Sequence, residues 1–152
     1  MRPDMTTDPN PRFAIVVSRF NEEVTSGLLR GARAYLSEKS IALRDEDVLP
    51  APGAFEIPLI AQTLAQTGKF DGVICLGCVI KGDTAHFEYI SEAASTGLMN
   101  ASLATGIPLT FGILTTYTDE QAILRSRDDE HNKGREAAAA CLDSHRILRK
   151  IT

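Results

Sequence analysis

Cysteine is scarce in this chain: Cys75, Cys78 and Cys141 are the only three in 152 residues. No second cysteine pair accompanies Cys75 and Cys78, so a four-thiolate zinc site is excluded. Positive charge is also short, with 16 Lys and Arg against 20 Asp and Glu and a net charge of −4. No basic stripe exists to neutralise phosphates, which argues against nucleic-acid binding. The longest basic cluster, Arg146-Ile147-Leu148-Arg149-Lys150, reads as a solvated helix end favoured by the helix dipole. No apolar run reaches the ~18 residues of a membrane span. Residues 1–12 carry three prolines and no apolar signal core, and they read as a flexible arm. Residues 13–152 read as one domain, and a cytoplasmic protein is the expectation. Internal repeats, low-complexity tracts and interdomain linkers are missing too.

What is present is the composition of a globular domain: 43% hydrophobic and 24% charged residues. A chain of this length buries roughly 70% of its unfolded surface, so it can hold a core without staples. Cys75 and Cys78 have a C-x-x-C spacing, which raises a thiol oxidoreductase reading. They lie inside the apolar run Val73 to Ile80. On a strand, residues three apart point to opposite faces. A redox pair instead needs a helix start, where the thiolate is stabilised. Both cysteines therefore read as small buried residues.

Phe13 to Ser18 is a β-branched apolar run and reads as a buried strand. Asn21 is placed to cap a helix with Val24, Leu28, Ala32, Tyr35 and Leu36 on one face. Val48 and Leu49 mark a short strand ahead of Pro50. Ile57, Ile60, Ala61 and Leu64 form a helix stripe, with Pro58 in its first turn and Gly68 as a stop. Val73 to Ile80 is the third strand. Phe87, Ile90, Ala94, Leu98 and Ala101 line a long helix ended by Gly106 and Pro108. Leu109 to Leu114 is the fourth strand. Glu120 to Arg127 and Asn132 to Leu148 read as two helices, or as one helix broken near Asp128. The alternation implies an α/β fold, a three-layer α-β-α sandwich with a four-stranded parallel sheet in flavodoxin-like order. Such a sheet is small and must be covered on both faces, so a homo-oligomer is expected.

In a parallel sheet, ligands bind at the carboxyl ends of the strands. The residues just past each strand are therefore the candidates, and all should converge at one sheet edge. Phe20 suits either a hydrophobic staple, which its spacing favours, or a stacking platform for a planar ring. Glu56, in a first helical turn, can simply answer the dipole or accept hydrogen bonds from a polyol. Gly82-Asp83-Thr84 precedes a helix and can present N–H groups to an anion, though Thr84 can equally be the cap. His86 sits in the first turn beside it, with a reference pKa of ~6.5 suited to acid–base work. His131 and His145 read as surface residues of helical polar regions. Arg125 and Arg127 are two apart on a helix and do not share a face. One arginine aimed at the Gly82–Thr84 turn would complete an anion pocket. Lys133, opening the last helix, adds charge. No grouping has metal-ligand spacing.

Several segments, in order, carry a specific resemblance. They are Arg19-Phe20-Asn21, Pro52-Gly53-Ala54-Phe55-Glu56-Ile57-Pro58, Leu76-Gly77-Cys78-Val79-Ile80-Lys81-Gly82-Asp83-Thr84-Ala85-His86-Phe87, Phe111-Gly112-Ile113-Leu114-Thr115, Glu120-Gln121-Ala122 and Asn132-Lys133-Gly134. From Phe13 to the last helix the chain resembles the 6,7-dimethyl-8-ribityllumazine synthase family of riboflavin biosynthesis. The resemblance implies a transferase that condenses 5-amino-6-(D-ribitylamino)uracil with 3,4-dihydroxy-2-butanone 4-phosphate. No cofactor and no metal are implied. It assigns stacking on the pyrimidine to Phe20. Ala54, Phe55 and Glu56 line the ribityl and uracil site, and Cys78, Val79 and Ile80 supply wall contacts. Asp83 and Thr84 hold the phosphate, which pairs with Arg125 and lies near Lys133. His86 carries the proton transfers. Phe111 and Arg125 are expected from a neighbouring subunit.

Two departures stand out. Lys81 replaces an arginine common in the family. The segment Ser126 to His131 lacks the glycine-rich pattern of members that build sixty-subunit shells, so a pentamer is favoured. Riboflavin synthase is the partner protein the resemblance suggests. Three other readings remain at this point: a non-catalytic flavin- or lumazine-binding protein on the same scaffold, the thiol oxidoreductase, and a purely structural shell protein.

Overall fold

Strand and helix alternate along nearly the whole chain. The structure, a computed structural model, describes residues 10–152. The elements are β1 (Phe13–Ser18), α1 (Glu22–Glu38), β2 (Val48–Ala51), α2 (Ile57–Gln66), β3 (Gly72–Ile80), α3 (His86–Thr105), β4 (Leu109–Thr116), α4 (Asp119–Arg125) and α5 (Lys133–Ile151). Short 3-10 turns at Asp45–Asp47 and Ala54–Glu56 lead into β2 and α2. The expected N-terminal arm falls mostly outside the described residues. At its end, Arg12 N donates to Asp71 Oδ2 at 2.8 Å. The Arg12 guanidinium makes two further bonds of 2.9 Å to Asp47.

The sheet has four strands in the order β2-β1-β3-β4. All three pairings are parallel. This is the flavodoxin-like order, and the five helices cover both faces. Alternation along β3 sorts its side chains into two cores. Ile74, Leu76 and Cys78 pack with Leu28, Leu36, Ala138 and Leu142 from α1 and α5. Val73, Cys75 and Val79 pack with Ile57, Ala61, Ala94 and Leu98 from α2 and α3. The stripes read from the sequence for α1, α2 and α3 are the faces packed on these cores, with Ile60, Leu64, Phe87 and Ile90 partly buried. Gly68 and Gly106 end α2 and α3 with φ of 74° and 72°, where a side chain is strained.

Several local expectations are corrected. β2 continues through Pro50, which an edge strand tolerates because the missing N–H breaks no interior ladder. β4 runs two residues past Leu114 to Thr116, its ladder to β3 being complete there. Asn21 stands at the start of α1 but makes no side-chain cap, because its backbone is left-handed. α4 ends at Arg125, so Arg127 lies beyond the helix. His131 also lies outside a helix, in an exposed turn beside Glu130. His145 is half-buried and meets the Phe13 ring edge-on at 6.0 Å.

Candidate active site

The ladder between β1 and β3 ends at Val17↔Leu76. β3 carries on against β4 as far as Ile80↔Thr116. The chain leaves β1 toward β2 and leaves β3 toward β4, so a crevice opens between them. This is the switch point at which doubly wound sheets take ligands. A cleft of about 570 Å³ occupies it.

Phe20 forms one lip of the cleft. Its N–H donates to the Ser18 hydroxyl at 3.1 Å. Its ring is 68% exposed, so it is not a staple packed against the helix. Ala54, Phe55 and Glu56 arrive on the 3-10 turn after β2. Gly77 lies beneath the start of α2, where a Cβ would come within 3.2 Å of Ile57 Cδ1. Phe55 is 58% exposed, a second aromatic ring left without a core of its own. The far wall is Cys78, Val79 and Ile80, and His86 closes the cleft from the first residue of α3. Asn21, Ile90 and Asp119 also line it. Sequence reasoning placed Asn21 after β1 and Ile90 on the α3 stripe, but passed over Asp119, which follows β4 closely and lies at the same sheet edge as the residues after the other strands.

Asp83 and Thr84 are exposed in the turn before α3, outside the cleft lining. The Thr84 hydroxyl accepts from His86 N at 3.4 Å, but the N-cap position belongs to Ala85. α3 therefore begins without a side-chain cap at Ala85. Lys81 holds its ammonium 5.4 Å from the Tyr117 ring centre. Tyr117 in turn lies 6.0 Å from Phe87.

Phe111, Arg125 and Lys133 do not converge on the cleft. They line a separate groove of about 460 Å³ along β4 and α5. The resemblance expects Phe111 and Arg125 from a neighbouring subunit, and within one chain Phe111 lies mid-strand on the outer edge of the sheet. Its ring is 45% exposed. Arg125 Nη1 donates to the Gln121 carbonyl at 3.0 Å. Lys133 Nζ meets Glu136 Oε2 at 2.8 Å. Between them, Asn132 is fully buried and caps α5, its Oδ1 accepting from Gly134 N and Arg135 N.

The cysteines settle one alternative. Cys75 and Cys78 belong to opposite cores. Burial pushes the Cys78 thiol up to about 12, with the Asp119 charge adding to it. Burial pushes Cys75 and Cys141 upward as well. Protonated, sequestered and facing apart, Cys75 and Cys78 cannot act as a dithiol pair. Among the described residues no helix is long and apolar enough to cross a membrane.

Fold and cleft together define a doubly wound α/β protein with an open cleft at the switch point of its parallel sheet, the place where such folds take ligands. The profile of one family, 6,7-dimethyl-8-ribityllumazine synthase, matches residues 10–149. The chain is 63% identical over 146 residues to 6,7-dimethyl-8-ribityllumazine synthase 1 of Caulobacter vibrioides, covering 95% of each chain. It is 47% identical over 148 residues to the synthase of Salinibacter ruber, covering 97% of this chain and 94% of that one. With the synthase of Syntrophus aciditrophicus it shares 49% over 140 residues, 92% of this chain and 91% of the other. The chain belongs to the 6,7-dimethyl-8-ribityllumazine synthase family.

Proposed function

We propose that the chain condenses 5-amino-6-(D-ribitylamino)uracil with 3,4-dihydroxy-2-butanone 4-phosphate. The products are 6,7-dimethyl-8-ribityllumazine, phosphate and water. One observation carries the reading at this site. A single cleft gathers an unpacked aromatic ring, a carboxylate and an imidazole, in a chain of this family.

The pyrimidine stacks on Phe20 and lies against the Cys78–Ile80 wall. Glu56 accepts hydrogen bonds from ribityl hydroxyls, beside Ala54 and Phe55. The pyrimidine amine attacks the ketone carbonyl, and water leaves as the imine forms. His86 moves the protons that this requires. Phosphate then leaves the neighbouring carbon chain. Its charge is held by the open start of α3, at Asp83 and Thr84, and by Arg125. Loss of phosphate leaves an enol that ketonises to a new carbonyl beside the imine. The ribitylamino nitrogen attacks it and expels a second water to close the ring, a step that needs mainly the two partners held in register.

Arg125, Phe111 and Lys133 reach this cleft from a neighbouring copy. Their groove lies on the outer β4 edge, where a second subunit can meet it. The assembly is a pentamer with a site at each interface. The protein works in the cytoplasm and hands its product to riboflavin synthase.

The direct test mixes pure protein with both substrates and follows lumazine fluorescence and released phosphate. Both rise well above the protein-free control if the reading holds. Pyrimidine binding without product would turn the assignment into a lumazine- or flavin-binding protein, which no feature of the site favours. The shared site has its own test. His86→Ala and Arg125→Leu proteins, each inactive, are unfolded together and refolded. About a quarter of interfaces then join two intact halves, so activity returns. If each chain held a whole site, mixing would restore nothing.

A further inference from the structure

We propose that Asn21 is a positioning residue that sets the width of the cleft. The inference rests on the reading of that cleft as the pyrimidine site.

Beyond Leu76 the β3 backbone has no strand partner on its β1 side. Asn21 spans this gap. Its Nδ2 donates to the Cys78 carbonyl at 3.0 Å, joining residues 57 apart in sequence. The bond replaces the next rung of the broken ladder. It also requires an unusual backbone: Asn21 has φ 60° and ψ 51°. That left-handed state is costly for most residues, and asparagine is among the few side chains that visit it. The turn takes the amide away from the start of α1, where it would otherwise cap. The helix start is kept by the main chain instead, since the Asn21 carbonyl accepts from Val24 N and Thr25 N at 3.0 Å each.

Phe20 is therefore held from both sides. Its own N–H is bonded to buried Ser18, and the next residue is tied to β3. The ring has little packing of its own, so these anchors locate it. Cys78, whose carbonyl receives the tie, begins the opposite wall of the cleft. One hydrogen bond thus couples the stacking ring to the wall it faces. A flat ligand is sensitive to that spacing, because dispersion contact is lost steeply once a gap opens.

The test uses Asn21→Gly and Asn21→Asp. Glycine keeps the left-handed turn and loses only the tie. Aspartate also tolerates the turn but sets a carboxylate against a carbonyl oxygen, so its effect is the larger. For Asn21→Gly, the KM for the ribitylaminouracil rises about tenfold while kcat stays within about twofold, the loss of one hydrogen bond. Hydrogen exchange, read without any substrate, speeds up in peptides covering residues 19–22 and 78–80 and is unchanged in α5. Unchanged KM and exchange in both variants would overturn the proposal. So would a uniform rise in exchange with KM and kcat altered together, since that marks a general loss of stability. If the unmodified protein turns over no substrate, the proposed function fails alone, and the exchange pattern still decides whether Asn21 holds the cleft.

Discussion

The cleft at the switch point and the groove on β4 are built from opposite chemistry. The cleft offers Phe20, Phe55, a valine–isoleucine wall, two carboxylates and one imidazole, with no lysine or arginine among the described residues that line it. The groove offers Arg125 and Lys133. A substrate pair made of a planar polyol and a phosphate ester needs both kinds of surface. Among the described residues the cations line the groove and the imidazole lines the cleft, and one chain keeps them apart. The two cations also differ. Lys133 already has a carboxylate, Glu136, at 2.8 Å. Arg125 bonds only a backbone carbonyl, and among the described residues no carboxylate pairs with it. The charge still available to an incoming phosphate is therefore mainly that of Arg125.

This contrast can be broken at four points. His86→Ala, in the cleft, should lower kcat by about 10²–10⁴, the range for a lost acid–base group, with pyrimidine affinity kept. Stopped-flow turnover and equilibrium binding together check this, and equal losses in both would remove the proton-transfer role. Arg125→Leu, in the groove, should reduce kcat/KM for the butanone phosphate by about 10²-fold or more. Pyrimidine binding should stay nearly unchanged, because the two regions recognise different molecules. Phe20→Ala should do the reverse, raising the pyrimidine KM by up to about tenfold, since aromatic pairing is worth about 0.5–1.5 kcal/mol. Its KM for the phosphate ester should stay put.

The smallest effect concerns β3, which backs the cleft. The Cys78 thiol is raised from 9.0 to about 12 in the folded chain. Above pH 9 the unfolded chain releases a proton that the folded chain retains. The folded state then binds more protons, so stability falls as pH rises. The melting temperature should decline from pH 9 upward, with Cys75 and Cys141 adding to the fall, and Cys78→Ala should make the decline shallower without changing the profile below about pH 8.

Much of this was legible beforehand. The parallel sheet followed from apolar runs alternating with helical stripes, and the opposed faces of Cys75 and Cys78 followed from strand periodicity alone. Phe20, the Ala54–Glu56 turn and His86, which follow β1, β2 and β3, met in one cleft because topology brings those strand ends together, while Asp83 and Thr84 stay outside its lining. What could not be read depended on contacts distant in sequence. Asn21 looked like a cap because nothing local shows that Cys78 will stand across from it. Phe20 suited a staple until the tertiary fold left its ring without a partner. Phe111 was expected from a neighbouring subunit on the resemblance alone, and only the strand order reveals that β4, which carries it, is an outer edge. His145 sits among polar neighbours in the sequence, while its contact, Phe13, is at the far end of the chain.

The strand order also has a meaning in time. As residues emerge in sequence, β1 meets β2 first, on one flank only. Its other flank stays bare until residues 72–80 insert beside it. The cleft lies across that later seam. A nascent chain that has closed its first βαβ unit has no binding site at all, and the site and the second half of the sheet come into being together. Errors of docking at β3 would therefore erase chemistry before they erase secondary structure.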